Sequence, residues 1–96
     1  MTWIKTTPAD QAGPELRAIY EALYRAYPPE YAEPVPAARR PDGGDDSIIA
    51  AHSLIPEAMR HAFGTHLAAI AADLPLSRAQ HEMIATVVSA QNRCFY

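Results

Sequence analysis

Cysteine is nearly absent from this chain: Cys94 is the only one in 96 residues. A single thiol cannot close an internal disulfide, which excludes the disulfide framework of a small secreted domain. Basic runs are absent too. Arg39-Arg40 is the longest cluster, Asp42, Asp45 and Asp46 follow it closely, and the formal net charge is −3. That distribution leaves no electrostatic footprint for nucleic acid or for an anionic membrane surface. No stretch approaches the roughly 18–20 apolar residues of a membrane span. The N-terminal MTWIKTTPADQ lacks the apolar core of a signal peptide. Together these absences lead to the expectation of a cytoplasmic protein with neither nucleic-acid nor membrane partners. Strand-like alternation, internal repeats, a Gly-rich phosphate loop, a nucleophile elbow and a Ser/His/Asp set are also missing. Gly43-Gly44 stands in an acidic stretch and reads as a turn.

Alanine is what the chain has in abundance. It supplies 19 residues, against 21 for Leu, Ile, Val, Met and Phe together. Alanine raises helix propensity but adds little apolar area, so the core is expected to be thin for a free-standing domain. Oligomerisation or further protein would help to cover such helices.

The apolar spacing predicts an all-α fold. Trp3 to Thr7 reads as an extended lead-in, with Trp3 and Ile4 available to dock on a core. Pro14 suits a first helical turn, where its missing N–H would be unpaired anyway. Leu16, Ile19, Tyr20, Leu23 and Tyr27 then recur at helical spacing, predicting a helix over 14–27. Arg17/Glu21 and Glu21/Arg25 are candidate i,i+4 pairs. Residues 28–46, with five prolines and two glycines, cannot continue a regular helix and read as a loop, either a plain insertion or an active-site cover. Asp46 is a candidate cap for a short helix over 47–54. Pro56 opens a further helix through residue 72, with Met59, Phe63, Leu67 and Ile70 as its stripe. Gly64 either weakens that helix or marks a close helix crossing. Ser77 with Gln80 forms an S-x-x-Q capping box for a last helix over 78–92, which carries Met83, Ile84, Val87 and Val88 on one side. Asn92 is a candidate stop.

Two residues are candidates for chemistry. Cys94 follows the last helix and adjoins Arg93, where a new helix could begin. A helix N-terminus and a neighbouring cation both favour thiolate. The competing reading is a small buried hydrophobe, the commoner fate of a lone cysteine. Glu82 lies on the last helix near Thr86 and Ser89. It reads either as a solvated carboxylate or as one held in a small-residue pocket to orient a proton carrier. The histidines do not form a metal motif: His61 and His66 point about 140° apart on one helix, and His81-Glu82 lacks the second His of H-E-x-x-H. Neither a metal nor a cofactor is expected.

The stretch LSRAQHEMIATVVSAQNRCFY, residues 76–96, resembles the AhpD-like alkylhydroperoxidases of the wider carboxymuconolactone decarboxylase family, in the subgroup of peroxidase-related proteins. In that subgroup a helix of the form L-S-R-x-x-x-E-M-I-A-x-V-V-S-x-x-N leads into C-x-x-C and then a histidine. SIIAAHSLIPEAMRHAF, residues 47–63, is similar to the H-S-L-x-P-E-x-M stretch of the same subgroup. The resemblance covers most of the chain except 28–46, which looks like an insertion.

What the resemblance implies is a thiol-dependent peroxidase with a Cys pair and a Glu/His proton relay. Glu82 matches the relay glutamate and Cys94 the first cysteine of the pair, with the family's spacing of twelve residues between them. In that family the second cysteine attacks the peroxide and the first resolves the sulfenic acid. The second cysteine would fall at position 97 and the relay histidine a few residues beyond. Tyr96 stands where some members carry another histidine. The expectation is therefore that residues 1–96 form the N-terminal part of a single AhpD-like helical domain. Its implied partners are a small-molecule peroxide, a thiol reductant, further copies of itself in a homo-oligomer, and a chain or segment that supplies the second cysteine. The alternative is a non-enzymatic helical oligomerisation module. A decarboxylase-type relative without the Cys pair is a third reading, disfavoured by Cys94 at the family position.

Overall fold

A computed structural model describes residues 3–32 and 47–94. Among the described residues the fold is all-α, without a strand. Four α-helices follow in chain order: α1 (Pro14–Ala26), α2 (Ser47–Ala50), α3 (Pro56–Ala69) and α4 (Arg78–Gln91). Two 3-10 turns, Ala9–Gln11 and Pro29–Ala32, flank α1. The proposed Asp46 cap and most of the 28–46 loop lie outside the described residues.

The core is built between α1 and α3. Leu16, Ile19, Tyr20 and Leu23 come from α1, Ile49 from α2, and Met59 and Phe63 from α3; Ala12 closes one end. Tyr20 and Met59 are the most deeply buried large side chains. Each such burial removes apolar area from water, worth about 1.5–3 kcal/mol for a Met or Phe side chain. Leu67 packs against the margin of this cluster, which completes the α3 stripe expected from the sequence except for Ile70, half-buried at the helix end.

The lead-in docks differently from its sequence expectation. Trp3 and Ile4 are exposed. Thr7 is the anchor instead: its backbone N–H donates to Ser53 Oγ at 2.7 Å, and its carbonyl accepts from the Tyr20 hydroxyl at 2.9 Å. This satisfies Ser53, which is only 3% exposed, and ties together three segments distant in sequence. Arg17 donates to the Ala12 carbonyl at 3.3 Å; among the described residues neither i,i+4 pair of α1 closes to ion-pair distance.

Two helices are shorter than their patterns. The segment after α2 tightens into i,i+3 bonds, His52 N–H to Ile49 O and Ser53 N–H to Ala50 O. Ile55, preceding Pro56, takes an extended-side conformation (φ −128°, ψ 87°). A residue before proline is excluded from the α region by the ring, so one helix cannot run across this boundary. At its other end α3 stops at Ala69 rather than residue 72. Its cap residue Ile70 donates to His66 O, and the Arg78 guanidinium takes the Ile70 carbonyl at 3.2 Å. An arginine from the next helix thus serves the carbonyl end of α3. Gly64 is no close crossing: a Cβ there would meet nothing within 4 Å.

α4 starts where the sequence places it. Ser77 Oγ accepts from Gln80 N–H and Gln80 Oε1 accepts from Ser77 N–H, closing the capping box. Its apolar side is another matter. Met83, Ile84, Val87 and Val88 are all more than half exposed, and His81 is the only buried residue on the helix.

Candidate functional site

The two candidate residues sit toward opposite ends of α4. Glu82 is in its second turn and Cys94 follows its last. Along the helix Glu82 and Asn92 are about 15 Å apart, so carboxylate and thiol do not touch.

Cys94 is held by backbone, not by packing. Asn92 caps α4, Arg93 N–H donates to Ala90 O at 3.1 Å, and Cys94 N–H donates to Ser89 O at 2.9 Å. That pair of bonds is a Schellman closure. It requires a left-handed residue after the cap, and Arg93 provides it at φ 51°. Asn92 was the stop expected from sequence; the residue that turns the chain is Arg93. The thiol is exposed, which sets aside the buried-hydrophobe reading. The helix N-terminus expected beside it lies outside the described residues, since Cys94 stands at the carbonyl end of α4.

Glu82 is half exposed and belongs to a polar cluster rather than a small-residue pocket. Thr86 Oγ1 does approach it, but donates to the Glu82 backbone carbonyl at 2.7 Å. The carboxylate accepts a hydrogen bond from the Tyr31 hydroxyl, and Arg78 Nη1 lies 3.9 Å from it. The Arg78 guanidinium also sits 5.8 Å from the Tyr31 ring centroid, and Tyr31 meets Tyr27 edge-on at 5.9 Å. Partial burial first, then the bond to Glu82 and its negative charge, push the Tyr31 hydroxyl above its ordinary range.

Tyr31 is the site residue that sequence reasoning missed. It sits in the 3-10 turn Pro29–Ala32, inside a segment read as loop. The available signal was an aromatic just behind Pro28-Pro29, where proline pre-sets the backbone for a tight turn.

The histidines are dispersed, as their spacing requires. His61 pairs with Glu57 at 2.9 Å, His52 meets Phe63 edge-on at 5.2 Å, and His66 lies 6.3 Å from Tyr27. Among the described residues no three His, Cys, Asp or Glu side chains converge as a metal site. No described helix is long and apolar enough to cross a membrane.

Compared with known proteins, the chain matches no family model, no curated protein and no solved structure.

Proposed function

We propose that this chain is the Glu82- and Cys94-bearing part of an AhpD-like thiol peroxidase. The observation that carries the reading is Cys94 itself: an exposed thiol on a hydrogen-bonded turn, twelve residues after a carboxylate on the preceding helix. The resemblance of residues 76–96 to that family supplies the roles. A hydroperoxide oxidises a second cysteine thiolate to sulfenic acid; the O–O bond breaks, an S–O bond forms and an alcohol leaves. The Cys94 thiolate then attacks that sulfur: an S–S bond forms, the S–O bond breaks, and the departing hydroxide takes a proton from the relay and leaves as water. An external thiol reductant returns the pair to the dithiol. Glu82, carried on the opposite part of α4, orients a proton carrier that comes from outside residues 1–96.

The test is hydroperoxide consumption with dithiothreitol as reductant. Residues 1–96 alone should turn over near background, because they lack the cysteine to which the reading assigns attack on the peroxide. A chain extended by a cysteine directly after Tyr96 and by the family's relay histidine should turn over, and Cys94→Ser should slow that turnover, because the sulfenic acid is then reduced only by dithiothreitol. In the extended chain Glu82→Gln should lower kcat about a hundredfold, the size of a lost general acid–base contribution. Equal activity of the short and extended chains would sink the reading.

A second reading is favoured by one observation. The exposed side of α4, with Met83, Ile84, Val87 and Val88, is what a non-enzymatic oligomerisation module would present. Sedimentation equilibrium would show a concentration-dependent oligomer without peroxidase turnover, including in the extended chain.

A further inference from the structure

The cavity at the first turn of α4 has features that neither Cys94 nor Glu82 explains. It lies among the 3-10 turn Pro29–Ala32, the carbonyl end of α3 and the start of α4, with a volume of about 390 Å³. That is at the small end of the ligand-pocket range. Leu67, Ile70 and Leu76 give it apolar walls, and Arg78 and His81 share the lining.

Both of those polar residues carry buried nitrogens without a hydrogen bond. His81 is 8% exposed, and neither Nδ1 nor Nε2 has a hydrogen-bond partner among the described residues. Arg78 uses one guanidinium nitrogen on the Ile70 carbonyl. Its Nη1 is buried without a hydrogen bond, 3.9 Å from the Glu82 carboxylate. A buried unpaired polar group costs about 1–3 kcal/mol, more when charged. Three atoms without a hydrogen bond, two of them on His81 and one on Arg78 at ion-pair distance from Glu82, are a concentration on one cavity wall that folding alone would select against.

We propose that this cavity binds a small carboxylate carried on a short hydrocarbon body. A carboxylate only accepts hydrogen bonds, and its two oxygens match one N–H from Arg78 and one from His81. The apolar walls take the hydrocarbon and disfavour a compact, strongly hydrated inorganic anion. Glu30 also lines the cavity but is itself exposed, so its charge stays in water. The site is separated from Cys94 by the length of α4, and the proposal does not rest on peroxidase chemistry.

Hexanoate, hexanamide and inorganic phosphate are the probes, titrated into the full chain while the backbone amide resonances of the cavity wall at Ile70, Leu76 and Ser77 are followed by NMR. Hexanoate should shift them saturably, while hexanamide and phosphate should leave them in place. Arg78→Gln should weaken hexanoate binding about tenfold or more, the loss expected for one charge-assisted hydrogen bond. Because Arg78 also serves the end of α3, His81→Phe is the second variant; it keeps a buried ring and removes both nitrogens, and it should weaken hexanoate equally. Absence of a saturable hexanoate shift, an equal response to hexanamide or phosphate, or unchanged affinity in folded His81→Phe would each overturn the proposal.

Discussion

The α1/α3 pair and α4 are amphipathic in the same way but end in opposite environments. Met59 on α3 is fully buried, while Met83 on α4 is 65% exposed. The stripes of α1 and α3 close on each other, with Ile49 filling the gap. α4 is attached by its polar residues: the Tyr31 hydroxyl on Glu82, the Arg78 guanidinium on the Ile70 carbonyl, and buried His81. Periodicity therefore says that a helix has an apolar side, and it does not say what covers that side. Among the described residues nothing covers that side of α4.

Truncation breaks the comparison most sharply. Met59→Ala should cost about 2–5 kcal/mol in urea unfolding, the range for emptying a filled core site. Met83→Ala should stay within about 0.5 kcal/mol when the chain is dilute. A Met83→Ala cost that appears only at high protein concentration would mean that a second copy covers α4. Ser53→Ala comes next, at about 1 kcal/mol, because it strands the part-buried Thr7 N–H.

Two backbone changes should stabilise, each by up to about 1 kcal/mol in thermal unfolding. Arg93→Gly relieves a left-handed residue at the end of α4. Gly64→Ala adds helix propensity where a Cβ meets only open space. A destabilising Gly64→Ala would indicate that another surface approaches α3 there.

The smallest effect is acid dependence at Glu57. Bonds from Arg60 at 2.5 Å and then His61 at 2.9 Å hold its carboxyl down to about 2, from 4.5. The stabilisation is thus complete above about pH 4.5 and is lost as pH falls through about 2. Glu57→Gln should be slightly less stable than the parent at neutral pH and equal to it below pH 2. The carboxylate is fully exposed, so solvent screening keeps the difference small.

Much of the architecture was legible in the residues. Pro14 and the Leu16–Leu23 spacing located α1, and the Ser77/Gln80 box located the start of α4. The misses share a cause. The 56–72 helix stops early, with Arg78 of the next helix on the Ile70 carbonyl at its end. The lead-in docks through Thr7 rather than Trp3 because its anchors, Tyr20 and Ser53, offer polar atoms. Tyr31 became visible only once the chain brought a proline-preceded turn against α4. Each is a tertiary contact of a polar group, which no local period encodes. Cys94 was identified as a candidate from its place after a helix, and the structure adds that it is exposed and held by Arg93's left-handed turn.

The most direct test is a thiol map of the protein purified from its native source and treated with a small excess of cumene hydroperoxide. Digestion without reduction, followed by mass spectrometry, reads the state of Cys94. The account predicts Cys94 in a disulfide with a second cysteine, reopened by dithiothreitol. A Cys94 that stays a free thiol while the hydroperoxide is consumed would contradict it.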